Sequence, residues 1–154
     1  MKHELICLGK IKEKFIHDGI VEYQGRLRHY TSFAITTLKD RQKTVNPAVM
    51  LEEEGRILLQ ALAPGARTVV LDPAGRLLSS EALARLLADW ELQGVKQVAY
   101  LIGGPDGHAP AVKARADLLL SLSPMTFTHD MARLILVEQL YRAYTIKAGE
   151  KYHK

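Results

Sequence analysis

Short apolar runs and helix-like segments alternate along the whole of this chain, and this alternation restricts its fold more than any other feature. The runs are continuous rather than periodic, which is typical of strands buried on both faces. They cover residues 4–8, 33–38, 68–71 and 98–102, with a further candidate at 117–122. The segments between them carry apolar residues at helical spacing, and a final helix is predicted over 130–147. The pattern predicts an α/β fold with a mostly parallel sheet flanked by helices.

Residues with special backbone preferences mark where these elements should end. Asn46-Pro47 is a typical helix start, either Ser79 or Ser80 is suited to cap the next helix, and Gly94 is suited to end it. Residues 72–75 have the turn sequence Asp-Pro-Ala-Gly, so the strand at 68–71 is predicted to close there.

The chain has 154 residues, and this length predicts one domain over residues 1–154. No apolar run approaches the roughly 18 to 20 residues of a membrane helix, and the polar start is unlike a secretory signal, so a cytoplasmic location is predicted. Cys7 is the only cysteine, which excludes an internal disulfide and a cysteine-based zinc site within one chain. A net charge of +4 favours a polyanionic partner such as RNA.

Three loops follow the carboxyl ends of predicted strands, where ligands bind in open parallel sheets. They cover residues 72–75, 103–110 and 123–129. Gly103, Gly104 and Gly107 allow a ligand to approach the main chain closely, although a tight strand-to-helix turn explains them equally well. The glycine-rich loop lacks the lysine and hydroxyl of a P-loop and the GxGxxG spacing of a dinucleotide fold. Its ligand therefore needs another binding architecture.

Motifs spread over the chain resemble one family. They are Leu71-Asp72, the run Leu101-Ile102-Gly103-Gly104-Pro105-Asp106-Gly107, residues 121–126, His129 with Arg133, residues 138–143, and the terminal Tyr152-His153-Lys154. In this order and at this chain length they resemble the RlmH family of SPOUT methyltransferases. The resemblance implies a homodimer with a C-terminal trefoil knot. It also implies that S-adenosylmethionine (SAM) is used to methylate N3 of a pseudouridine in 23S ribosomal RNA on the assembled ribosome.

The resemblance further implies a set of cofactor-binding residues. These are Leu71, Gly103, Gly104, Ser123, Pro124, Met125, Thr126, Phe127 and Thr128. Apolar side chains and main-chain groups are suitable partners for an adenine ring. Packing within the protein would account for Met125 and Phe127 equally well.

Methyl transfer requires the nucleophile, the methyl group and the departing sulfur to be held in line, and it requires no metal. The N3 atom of a uracil-type base carries a proton, so a base or a cationic group beside it should help. The catalytic candidates are His129 and His153 for the proton, Tyr152 for stacking on the target base, and Arg142 for a phosphate or the tail. The alternatives are a helix-capping role for His129, disorder for His153 and an ion pair with Glu138 for Arg142.

The final helix has apolar residues on more than one stripe. A wide apolar arc predicts a subunit interface in addition to core packing. We therefore hypothesise that the terminal tail of one subunit crosses to the pocket of its twin.

Four basic residues are candidates for RNA binding, namely Lys39, Arg41, Lys43 and Lys154. Lys154 stands where the family usually ends in arginine, so it offers a point charge rather than a planar, bidentate donor. Two other functions remain open: a non-catalytic RNA-binding protein of the same fold, and an enzyme acting on a small nucleotide-like molecule.

Overall fold

The computed structural model describes residues 1–39 and 46–153, and it contains a single five-stranded sheet with helices on both faces. The strands are β1 (Lys2–Leu8), β2 (Phe33–Leu38), β3 (Arg67–Leu77), β4 (Gln97–Ile102) and β5 (Leu118–Ser121). The helices are α1 (Lys14–Leu27), α2 (Pro47–Gln60), α3 (Ser80–Leu92), α4 (Pro110–Arg115) and α5 (His129–Lys147), and a short 3-10 helix covers Lys151–His153. Within the described ranges, no helix has the length and apolar composition of a membrane span.

All neighbouring strands in the sheet are parallel, in the order β2-β1-β4-β3-β5. The first strand therefore lies inside the sheet, with His3 opposite Phe33 on one side and opposite Val98 on the other. The predicted α/β class with a parallel sheet is confirmed. Because every strand runs the same way, the loops that follow β1 to β5 collect at one edge of the sheet.

The core has two layers because successive side chains of each strand point to opposite faces. Leu5 and Cys7 belong to the layer covered by α1, α3 and α5, whereas Ile6 and Leu8 belong to the layer covered by α2 and α4. Both faces of β1 are buried, which explains why its sequence reads as a continuous apolar run rather than an alternating one.

Capping residues set the helix ends as predicted. The Asn46 side chain accepts a hydrogen bond from the Ala48 N–H at 3.0 Å. Of the two serines that could cap α3, Ser79 is the one used, because its hydroxyl accepts the Ala82 N–H at 3.1 Å. Gly94 follows the end of α3 with a φ of +79°, a conformation that favours glycine.

The predicted end of the third strand at Leu71 is wrong, because β3 continues to Leu77. Leu71 and Arg76 both pair with Leu120 of β5, so residues 72–75 form a bulge and the ladder then resumes. Gly75 permits the backbones of β3 and β5 to approach each other closely, since a Cβ there would lie 2.7 Å from the backbone carbonyl carbon of Leu119. Residues 72–75 form a bulge rather than a closing turn because β5 pairs with β3 both before and after them, at Leu71 and at Arg76.

The wide apolar arc of α5 is covered largely within the chain. This helix packs against α1 on one side and against α3 on the other, and its buried residues reach the sheet. The arc therefore has intrachain partners and does not by itself require a second subunit.

Arg133 fastens α5 to the end of β1. Its side chain is only 1% exposed, and its guanidinium donates to the carbonyl oxygens of Leu8 and Gly9, the latter at 3.0 Å. The same guanidinium lies 3.4 Å from the carboxylate of Asp130. A buried cation with these acceptors holds the loop after β1 against the first turns of α5.

Replacing Arg133 with methionine is expected to lower the free energy of unfolding by about 3 kcal/mol. Methionine fills part of the volume but leaves two carbonyl groups without their donor and the buried Asp130 carboxylate without its neighbouring cation. Urea unfolding at neutral pH measures the change. Arg26→Met is the matched control because Arg26 is exposed, where it pairs with Glu22 and lies 5.4 Å from the centre of the Tyr23 ring. A loss for Arg133→Met no larger than that of the control would contradict this role.

Candidate functional site

A cavity of about 590 Å³ opens at the carboxyl ends of β3, β4 and β5. All three loops that the sequence singled out contribute to its wall. The predicted cofactor residues that line it are Leu71, Gly103, Gly104, Ser123, Met125, Thr126, Phe127 and Thr128. Pro124 belongs to the same loop but is exposed and does not line the cavity. The structure thus brings eight of the nine predicted cofactor residues together.

The glycine-rich loop is a tight turn that also faces the cavity, and the approach of a ligand to its main chain stays a prediction. The Gly107 N–H donates to the Gly104 carbonyl at 3.1 Å, and Gly107 has a φ of +81°. A Cβ on Gly103 would lie 2.4 Å from the Gly107 carbonyl oxygen, which is far inside van der Waals contact. Any residue but glycine at position 103 therefore forces this turn open.

The loop after β5 is organised by its own hydroxyl groups. Ser123 accepts the Met125 N–H at 3.0 Å, and Thr128 accepts the Met131 N–H at 3.2 Å and so caps α5. Met125 is 75% exposed, which excludes core packing as the explanation for it, whereas Phe127 is 38% exposed on the cavity wall. The loop leaves apolar side chains at the mouth of the cavity.

Asp72 and His108 also line the cavity, Lys113 contacts Asp72, and no role was predicted for these three residues. Asp72 is buried, its carboxylate accepts a hydrogen bond from the Ala74 N–H at 2.9 Å, and it lies 2.6 Å from the Lys113 ammonium. The hydrogen bond from Lys113 holds the pKa of Asp72 below its ordinary value. His108 lies beside them, with its Nε2 atom 3.2 Å from the Gly103 nitrogen. Asp72 and His108 lie in loops that the sequence marked, but Lys113 carries no sequence signal.

His129 lies on the cavity wall at the first position of α5. The capping role that was its alternative belongs to Thr128 instead. The Nε2 atom of His129 is 3.5 Å from the Asp130 carboxylate, and the side chain is one-third exposed. Its imidazole is therefore positioned to face a ligand in the cavity.

Arg142 and Tyr152 lie away from the cavity in the same chain. Arg142 follows His129 by 13 residues, which is about 20 Å of helix. It donates to the Glu138 carboxylate at 2.6 and 3.0 Å, so the alternative predicted for it, an ion pair, is made. The Tyr152 hydroxyl also donates to Glu138, at 3.1 Å, and the Arg142 guanidinium lies 4.8 Å from the centre of its ring. Burial and the hydrogen bonds with Tyr23 and Glu138 raise the pKa of Tyr152.

The remaining predicted residues are the RNA-binding candidates and His153 of the terminal tail. Lys39 is exposed directly after β2, at the same edge of the sheet as the cavity. Arg41, Lys43 and Lys154 lie outside the described residues, and so does the side chain of His153.

A second cavity, of about 580 Å³, opens at the opposite edge of the sheet, lined in part by Met1, Lys2, Glu91 and Lys96. Ligands in parallel α/β sheets bind at the carboxyl ends of the strands, and this cavity lies at the amino ends. Its lining includes none of the residues in the glycine-rich loop. The cavity at Gly103 is therefore the candidate site.

Comparisons with known proteins identify the family of this chain. A family model described as "Predicted SPOUT methyltransferase" matches residues 1–153. The chain is 56% identical over 154 residues to "Ribosomal RNA large subunit methyltransferase H" of Desulfotalea psychrophila, with 100% of both chains covered. It is 46% identical over 161 aligned residues to the protein of that name from Symbiobacterium thermophilum, again with 100% of both covered.

A solved structure supports the fold alone. A probable methylase family protein from Haemophilus influenzae Rd KW20 matches with a TM-score of 0.56 at 10% identity, over 99% of this chain and 70% of that one. The family resemblance carried by the sequence motifs is confirmed by the full-length matches, and the chain belongs to the SPOUT methyltransferase family.

Proposed function

We propose that this protein transfers the methyl group of SAM to N3 of a pseudouridine in large-subunit ribosomal RNA. The observation that carries the proposal is the cavity in which the Gly103 turn and the loop at 123–128 meet, with His129 on its wall. The names of the relatives from Desulfotalea psychrophila and Symbiobacterium thermophilum support the large-subunit RNA as the substrate.

The size and composition of the cavity support SAM as its ligand. Its volume of about 590 Å³ is in the range of sites for ligands of this size. Leu71, Ile102 and Leu122 supply apolar walls suited to an adenine ring. The turn at Gly103 and the loop after Ser123 expose main-chain groups that can pair with polar atoms of the ligand.

When bound, SAM supplies a methyl group on a positively charged sulfur. In the transfer, the bond from N3 to the methyl carbon forms as the bond from sulfur to that carbon breaks, and the N3 proton leaves. We assign His129 the task of accepting that proton or stabilising the charge that its departure leaves, because its imidazole lines the cavity next to the cofactor loop. The wall residues hold the reacting atoms in line, which is the main requirement of a displacement.

A second subunit would complete this site. Arg142 and Tyr152 belong to the proposed catalytic set, yet about 20 Å of helix separates Arg142 from His129. In a two-fold symmetric pair with antiparallel α5 helices, the tail of one subunit lies beside the His129 end of the other. We therefore propose a homodimer in which Arg142, Tyr152 and His153 act at the partner's cavity.

RNA binding is proposed at the edge of the sheet that holds the cavity. Lys39 is exposed there, and the net charge of +4 favours a polyanion. Arg41, Lys43 and Lys154 are proposed as further phosphate contacts. The proposed substrate is the assembled ribosome, and the proposed location is the cytoplasm. The one-domain organisation and the trefoil knot stay predictions from the sequence.

Labelling of ribosomes with tritiated SAM tests the proposed function. Ribosomes from a strain that lacks this protein are expected to take up label in the large-subunit RNA when the purified protein is added. Ribosomes whose target uridine has not been converted to pseudouridine, and protein-free RNA, are the controls for the substrate. Absence of label in the large-subunit RNA would overturn the proposal, and turnover of a small nucleotide without ribosomes would favour the small-molecule alternative.

A further inference from the structure

His108 lies directly behind the backbone of Gly103. It is 6% exposed, and its ring forms part of the cavity wall. The Nε2 atom accepts the Gly103 N–H at 3.2 Å. The ring also packs closely against this residue, since a Cβ on Gly103 would lie 3.1 Å from the His108 Cε1 atom. The imidazole thus fixes the position of the first peptide of the glycine-rich loop.

This hydrogen bond requires one particular form of the imidazole. A ring nitrogen accepts an N–H only when it carries no proton, so the proton of neutral His108 is on Nδ1. The Nδ1 atom is buried and has no partner at full hydrogen-bonding geometry among the described residues, although the backbone groups of Leu71 and Leu101 interact with the ring and oppose the lowering of its pKa. In the charged form both ring nitrogens are donors. An Nε2–H group would then face the Gly103 N–H, and the contact would change from attractive to repulsive.

The charged groups around His108 come from several elements. Asp72 of β3 and Lys113 of α4 form an ion pair beside it, Glu54 of α2 borders Gly104, and His129 of α5 lines the same cavity. Burial lowers the pKa of His108 below its ordinary value of 6.5, and this effect outweighs the opposing influence of the Asp72 carboxylate. The ring is therefore neutral at physiological pH and gains its proton only in acid.

We propose that His108 is a positioning residue for the methyl donor, which shapes the cofactor loop by accepting the Gly103 N–H and releases that loop when it is protonated. The inference rests on the proposed function, because it takes SAM as the ligand of this cavity. The proposal predicts that SAM affinity falls in acid because of a residue that need not contact the reacting atoms.

Calorimetry of SAM binding between about pH 8 and pH 5 tests the proposal with three proteins. In the wild type, affinity is expected to be constant near neutral pH and to fall by up to about tenfold per pH unit below the pKa of His108. His108→Gln keeps an acceptor oxygen but does not titrate, so its SAM affinity is expected to lack the acid loss that His108 causes. His108→Leu removes the acceptor and is expected to bind SAM on the order of tenfold more weakly at neutral pH.

The difference between the wild-type and His108→Gln profiles isolates His108 from His129, which is unchanged in both proteins. Equal affinities and equal pH profiles for all three proteins would overturn the proposal. Failure of the wild type to bind SAM at any pH would instead overturn the proposed function. The ¹⁵N shifts of the His108 ring give a second measurement on the unmodified protein. They are expected to show the proton on Nδ1 at neutral pH, and a proton on Nε2 would contradict the inference even if a variant failed to fold.

Discussion

Gly103→Ala is expected to weaken SAM binding on the order of 100-fold or more. The added methyl group would lie 2.4 Å from the Gly107 carbonyl oxygen and 3.1 Å from the His108 ring. Neither can yield without moving the backbone of the turn or the side chain that supports it. Because the turn forms one wall of the cavity, its displacement changes the shape of the site rather than removing one contact. Calorimetry at neutral pH measures the loss of affinity.

Gly25→Ala is the matched control for this substitution. Gly25 is an exposed residue of α1 that does not line the cavity, and a Cβ there would meet no atom within 4 Å. We expect this variant to bind SAM with an affinity close to that of the wild type. Thermal unfolding of both variants shows whether each retains its fold. If folded Gly103→Ala bound SAM as tightly as Gly25→Ala, the turn at Gly103 could not be part of the cofactor site.

Removal of residues 151–154 is expected to lower the rate of methyl transfer to ribosomes by about 100-fold or more while SAM binding is retained. The deletion removes Tyr152 and His153, which are proposed to act on the target base, but no residue that lines the cavity. Lys151→Ala, an exposed position in the same short helix, is the control and is expected to remain active. Loss of SAM binding by the truncated protein would contradict a role confined to the RNA step.

Mixed dimers separate action within one subunit from action between subunits. When truncated subunits are combined with Gly103→Ala subunits, one site of each mixed dimer receives an intact cavity and an intact tail if the tail crosses over. We expect such dimers to recover about half of the wild-type activity, since the other site lacks both parts. No recovery would show that the tail serves the cavity of its own chain.

The parts of the fold that depend on local sequence were predictable, and the parts that depend on distant partners were not. The bounds of β2 and the caps at Asn46 and Ser79 follow from residues within a few positions of each other. The continuation of β3 past Leu71 depends on β5, which lies more than 40 residues later in the chain. A turn sequence cannot reveal that another strand will hold the chain extended.

The same distinction applies to the candidate site. The glycine-rich loop and the loop at 123–129 were found because each follows a predicted strand, and the family motifs then gave their residues a role. The structure brings both loops to one cavity. The contact of Asp72 with Lys113 joins β3 to α4 across 41 residues, and no local sequence pattern predicts it. The role of His108 became visible only through the distance between its ring and the Gly103 nitrogen, although the residue lies in the predicted loop.

The pairing of β1 with β4 determines when this protein can fold during its synthesis. Lys2 pairs with Gln97 and Cys7 with Ile102, so the centre of the sheet joins segments made about 95 residues apart. Residue 102 of the nascent chain must have left the ribosome before β1 and β4 can pair. Until then, the edge of β1 that pairs with β4 has no partner. An apolar strand with a free edge is prone to pair with other chains. The amino-terminal half of this protein should therefore be the segment most dependent on chaperones while translation is still in progress.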